Sequence, residues 1–383
     1  MAGEGAPSNS RSIHAPDRES SGGLPSARLL ALLFILALAA RTVVFVLGSD
    51  LPTNDEAAYR ELATEIAHGH GLTRDGRPET HIAPLFPLLH AVPIVFGADP
   101  HVAGRAVGLL TSALAAPLAV WAFLPWLSRR WALGAGVLVA LHPRLLVTAE
   151  RIQPEALTAL CLLLFAGCWS RDRPWGVAIA VALAYLARPE AAFLLPLVAL
   201  LALANEGRAA RRWLAPIALA MLIALPYLLH IRSATGEWAL TGKVHWVYVL
   251  GVLEARSGNE PVAPAALEAV EEEVDSPWEH MRRDPVAALG GYSSRLAYAV
   301  AYLGSAVWWP ILALAGVGLV VSGRQGRPVG AVLLPLALLL LIPVSVVHAR
   351  HVLPYLPLLF AAAVAGLSGI TVRWQPETRT MGP

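Results

Sequence analysis

Apolar blocks of bilayer length recur along this chain, and no other feature constrains its folding as strongly. They run from Leu29 to Gly48 and then around residues 113, 137, 162, 181, 197, 221, 312, 337 and 361. A spanning segment needs roughly 20 apolar residues, and inside a bilayer its backbone N–H and C=O groups must bond within the segment, which favours helices. An all-α polytopic membrane protein of about ten transmembrane helices is expected. With 56% hydrophobic and only 15% charged residues among 383, the chain is no ordinary soluble globule. One membrane domain over residues 27–372 follows, between a disordered cytoplasmic tail at 1–26 and a short one at 373–383. Ala37-Leu38-Ala39 resembles a signal-peptidase site, but the apolar run continues past Arg41 through Val46, so the first segment reads as an uncleaved span.

Arginines orient the spans. Links carrying Arg28, Arg129 and Arg130, Arg171 and Arg173, Arg208, Arg211 and Arg212, Arg324 and Arg327, and Arg373 and Arg379 belong on the cytoplasmic side. An even number of crossings must then separate each link from the next. Two short spans meeting at Arg188-Pro189-Glu190 satisfy this, whereas one fused span does not. Both termini fall inside, and the outer face receives two long loops, 49–100 and 231–295, with tight turns at 142–154, 188–190 and 345–351. The formal charge of +2, spread over short clusters, predicts no nucleic-acid partner.

In the first outer loop, Thr53-Asn54-Asp55-Glu56 fits a capping box, so a helix should start at Asn54, run to about His68 and stop at Gly69 and Gly71. Tyr59, Leu62, Ala63 and Ile66 form its apolar stripe, which predicts an interfacial helix with Asp55 in the headgroup zone. Glu56 is explained by capping alone or by catalysis. Asp55 is either a first-turn acid complementing the helix dipole or, kept ionised by that dipole, a general base for a hydroxyl. Arg144, Arg151, Arg188, Arg232 and Arg350 gather on the outer side, against the orientation bias. They call for an anionic partner such as a lipid phosphate, with Glu150, Glu155 and Glu190 as competing ion-pair partners. Histidines collect on that side too, including His81, His348 and His351, but without metal-ligand spacing; no metal or other cofactor is predicted. The acidic run from Glu271 to Asp275 reads as a solvated helix face. Cys161 and Cys168, two turns apart on one span, read as small lipid-facing or packed residues.

The order of these motifs resembles the GT-C superfamily of polytopic glycosyltransferases, in particular the bacterial branch similar to protein O-mannosyltransferases and aminoarabinose transferase. The matching stretches are Asn54-Asp55-Glu56-Ala57-Ala58-Tyr59, Pro84-Leu85-Phe86-Pro87-Leu88-Leu89, His142-Pro143, Glu155, Leu186-Ala187-Arg188-Pro189-Glu190, Pro226 with Arg232 and Gly236, and Arg350-His351-Val352-Leu353-Pro354-Tyr355-Leu356-Pro357. They span residues 30–370. The resemblance implies an inverting transfer of a sugar from a polyprenyl-phosphate donor to a hydroxyl of a glycan, lipid or protein, at the outer face of a bacterial plasma membrane. Asp55 matches the acceptor base, with Glu56 beside it. Arg350 and Arg188, then Arg144, Arg151, Arg232, Lys243 and His81, are candidates for the donor phosphate; Tyr59, His348 and His351 for positioning sugar or acceptor. Two departures stand out. Many relatives carry a lysine just before the proline pair of the first loop, where this chain reads His81-Ile82-Ala83-Pro84, and many carry a domain after the last span. A transporter of lipid-linked sugars and a non-catalytic assembly subunit are the competing readings. The first needs charge near mid-span, for which Arg41 is the main candidate.

Overall fold

The computed structural model describes residues 25–47, 54–149, 151–257, 276–327, 329–344 and 349–373. The expected tails, apart from residues 25, 26 and 373, lie outside these, as do Thr53, Glu150, the acidic run at 271–275 and His348.

Helix dominates, and each apolar run named above contains a helical element. α1 (Ala27–Leu47) buries Leu33, Ala37 and Arg41 at four-residue spacing while Leu32, Ile35, Leu36, Val43, Val46 and Leu47 are exposed. A helix whose outward face is this apolar suits hydrocarbon rather than water. α2 (Asn54–Ala67), a two-residue hairpin of β1 (Thr73–Arg74) and β2 (Arg77–Pro78), and α3 (Leu85–Val95) fill the first long loop. The bundle continues through α4 (Pro100–Phe123), α5 (Arg129–Leu141), α6 (Pro143–Thr148), α7 (Glu155–Trp169), α8 (Pro174–Ala187), α9 (Leu194–Glu206) and α10 (Leu214–Thr235). The second long loop holds α11 (Val244–Ser257), α12 (Pro277–Arg283) and the start of α13 (Pro285–Val307), and the chain closes with α14 (Trp309–Arg324), α15 (Gly330–Ala337) and α16 (Leu356–Arg373).

Full-length crossings are fewer than the apolar runs suggest. Among the described residues, four helical segments are individually long and apolar enough to span: Ala27–Leu47, Pro100–Phe123, Ala209–Thr235 and Arg350–Gly369. Ala288–Val307 and Trp309–Arg324 pass that test only together, and they are bent by 100°. α7 has 15 residues and α8 has 14. At 1.5 Å per residue, 15 residues rise about 22 Å, short of a hydrocarbon core of about 30 Å. Tight 3-10 segments at Pro189–Phe193 and Gly207–Trp213 lie at the links between runs, and one at Leu338–Val344 falls within the run around residue 337. The break predicted at Arg188 is present: Arg188 is extended, at φ −148° and ψ 124°, between α8 and a 3-10 turn.

Small side chains set the packing. A Cβ at Gly318 of α14 would overlap the Ala362 carbonyl of α16, and one at Gly366 would overlap the Leu314 carbonyl. Backbones that touch in this way gain van der Waals contact where lipid supplies no hydrophobic drive between helices. Cys161 and Cys168 are buried on α7, as packed residues.

Candidate active site

The site is built where helix ends meet. α2 starts at Asn54 with Asp55 and Glu56 in its first turn and ends at Ala67, before Gly69 and Gly71 at φ +84° and +78°. Left-handed φ is open to glycine at little cost, so these two residues stop the helix as their sequence predicts. Leu62 and Ala63 are fully buried and the Tyr59 ring packs edge-on against Phe86 at 5.5 Å, so the apolar stripe of α2 seats on protein. Glu56 is buried at its base. The Asp55 carboxylate accepts a hydrogen bond from Nη1 of Arg350, which arrives on the 3-10 turn before α16. Both partners are partly open, with side-chain exposures of 45% and 33%.

Behind this pair lies a second, more buried one. Nε of Arg188 donates to Glu190 at 2.5 Å and Nη1 reaches Glu155 at 3.4 Å, with 12% of the arginine side chain exposed. Tyr59 feels Glu155, Arg188, Arg350 and Asp55; burial pushes its phenol up, with Glu155 adding to the effect. Lys243, half-buried in the second long loop, feels Glu190, Arg188, Arg350 and Asp55. Burial holds its ammonium below the usual lysine range, with Glu190 opposing. Thus five elements bring together Asp55, Tyr59, Glu155, Arg188, Glu190, Lys243 and Arg350. Three carboxylates face three cations, so the cluster is close to neutral as it stands.

Other expected residues are distributed around it. His81 lies near Lys243, Glu79 and Arg74, and burial lowers its imidazole, which is therefore neutral at pH 7 and can offer a hydrogen bond but no charge. His351 follows Arg350 and is half-buried. Arg144 is exposed on α6, which packs against the turn carrying Arg350. Arg151 is half-buried after α6, and Arg232 is exposed in the last turn of α10. Among the described residues, neither of the last two forms an ion pair with the cluster.

Arg41 has a structural explanation. It is 1% exposed, and its guanidinium donates to Ser112 Oγ at 2.7 Å and to the carbonyls of Ala37, Ala140 and Val139 at 3.0, 2.8 and 3.1 Å. Ala140 and Val139 end α5, whose C-terminal dipole a cation complements. The charge that a transporter would use at mid-span is committed to closing a helix. Sequence reasoning missed Glu79, which is buried at 5% exposure, and Tyr355, which lies against Arg188 and Glu190. It also undervalued Lys243, the single lysine among 29 basic residues, a count readable from the sequence.

No family model matches the sequence, and no curated protein does. Solved structures do match in fold. ArnT from Cupriavidus metallidurans, bound to undecaprenyl phosphate, superposes with a TM-score of 0.56 at 13% identity, over 90% of this chain and 61% of its own. The Archaeoglobus fulgidus oligosaccharyltransferase, complexed with zinc and sulfate, gives 0.55 at 16% identity, over 90% of this chain and 49% of its own. The chain therefore spans less than two thirds of either. Its apolar helices and this likeness give it the architecture of an integral membrane protein with the GT-C glycosyltransferase fold.

Proposed function

We propose that the protein transfers a sugar from a polyprenyl-phosphate donor to an acceptor hydroxyl, with inversion, at the outer face of a bacterial plasma membrane and with both termini cytoplasmic. The observation that carries the reading is the Asp55–Arg350 pair, set beside Lys243 at the end of a GT-C-type bundle. In the reaction, Asp55 takes the acceptor proton as the hydroxyl oxygen attacks the anomeric carbon. The bond from that carbon to the phosphate oxygen breaks, its electron pair stays on the phosphate, and Arg350 and Lys243 stabilise the added charge. Tyr59 and His351 border the space for sugar or acceptor.

Asp55 is held by Arg350, and a carboxylate so engaged must leave the guanidinium before it can take the acceptor proton. A donor phosphate competes for the same guanidinium. Its arrival releases Asp55, so donor binding precedes acceptor activation. An exposed ion pair is worth only about 0–1 kcal/mol, within reach of the donor's phosphodiester monoanion. Glu56, next to Asp55 in the first turn of α2, is buried.

Purified protein given radiolabelled polyprenyl-phosphate sugar and membrane extract tests the reaction. Labelled acceptor is the expected result. Label that moves between leaflets without product indicates a flippase, and neither outcome indicates an assembly subunit. Asp55→Asn should abolish product while the protein remains folded; near-normal transfer by that variant removes Asp55 as the base.

A further inference from the structure

Glu79 is a buried carboxylate that serves the backbone around it. One oxygen accepts from the N–H of His81 at 2.6 Å and of Ile82 at 3.3 Å; the other pairs with Arg74 at 2.9 Å. Its own carbonyl accepts from His230 Nε2 at 2.8 Å. The next carbonyl, of Thr80, accepts from Gly242 N–H at 2.9 Å and from the Thr241 hydroxyl at 3.1 Å. Tyr185 Oη donates to the Leu240 carbonyl at 2.9 Å. A Cβ at Gly242 would overlap the Thr80 hydroxyl, so glycine is what lets the two strands of chain meet. Residues 79–82 of the first long loop and 240–242 of the second therefore form one hydrogen-bonded clasp, and the residue leaving it is Lys243.

Lys243 is the only lysine, against 28 arginines. A compact ammonium with three rotatable donors can approach a phosphate already bounded by the flat guanidinium of Arg350, where a second planar fork would crowd. It comes from a long loop, and a flexible lysine loses much side-chain entropy when fixed, so something rigid must deliver it.

We propose that Glu79 is a positioning residue for phosphate recognition: by fixing the backbone of residues 80–82 it clasps 240–242 and holds Lys243 in the site. This rests on the polyprenyl-phosphate reading above for the ligand, but the clasp itself is testable without it.

A single lysine makes the test direct. Acylation of Lys243 by an N-hydroxysuccinimide ester in the full-length protein, with and without undecaprenyl phosphate, is followed by mass spectrometry of the peptide that carries Lys243, apart from the N-terminal amine. Glu79→Ala should speed labelling about tenfold, since two hydrogen bonds and an ion pair are lost. Glu79→Gln keeps an acceptor oxygen for His81 and Ile82 and should label at close to the wild-type rate. Thr241→Val, which removes only a hydroxyl, should speed labelling severalfold and serves if Glu79→Ala does not fold. Buried Cys161 and Cys168 should stay unreactive throughout, which excludes general unfolding. Undecaprenyl phosphate should slow labelling of wild type and Glu79→Gln but not of Glu79→Ala. Equal labelling of wild type, Glu79→Ala and Thr241→Val overturns the clasp, and so does Glu79→Gln labelling as fast as Glu79→Ala. If Lys243 is freed by Glu79→Ala but the lipid slows neither protein, the clasp stands and the phosphate role is overturned.

Discussion

Two arginines serve this site and they are held in opposite ways. Arg188 is enclosed by two carboxylates with 12% of its side chain exposed, whereas Arg350 meets one carboxylate and keeps 33% exposed. Removing one partner from a buried ion pair strands the others in a poor solvent; removing one from an exposed pair costs little because water replaces it. The comparison separates a cation that shapes the site from one that can exchange partners. Arg188 anchors the turn after α8 and the start of α7, and in the proposed reaction Arg350 is the group that trades Asp55 for a phosphate. This divides between two roles what the sequence assigned to both arginines alike.

The largest expected effect breaks the buried side. Arg188→Ala leaves Glu155 buried and Glu190 half-buried without their arginine and should cost about 3–5 kcal/mol, read as a large drop in thermal midpoint in detergent. A shift no larger than that of Arg350→Ala would erase the distinction. Next, Arg350→Ala should change stability by no more than about 1 kcal/mol yet weaken binding of undecaprenyl phosphate about tenfold or more, measured on the purified protein. Loss of stability without loss of lipid binding would reverse the two roles.

A smaller effect concerns pH. Burial lowers the pKa of Lys243, so its charge is lost as pH rises through a value below the ordinary lysine range. Lipid affinity should therefore fall on the alkaline side earlier than free lysine would titrate. Lys243→Arg, which stays charged, should remove that alkaline fall even if its affinity at pH 7 is lower. An unchanged pH profile in this variant would take Lys243 out of phosphate binding.

What could be read from the sequence was local. Apolar runs marked the helices, Gly69 and Gly71 marked the end of α2, and Arg188-Pro189 marked a break, because burial, left-handed φ and a missing N–H are properties of short stretches. Asp55 and the arginine-bearing turns were visible as residue types in unusual places. Their pairing was not, since Asp55 and Arg350 are 295 positions apart and nothing local says which helix ends converge. The same holds for the Thr80–Gly242 contact, which gathers Lys243 across 161 residues between Thr80 and Thr241. Where a helix tightens was not legible for another reason: a hydropathy window cannot see a 3-10 turn made of apolar residues, as at Leu338–Val344.

Competition between Asp55 and the donor phosphate for Arg350 is open to a single variant, Asp55→Asn. Undecaprenyl phosphate affinity and sugar transfer should be measured on the same preparation of this variant. The account predicts binding up to about fivefold tighter than wild type, because the competing carboxylate is gone, together with loss of transfer. Weaker lipid binding, or transfer retained at near the wild-type rate, would contradict it.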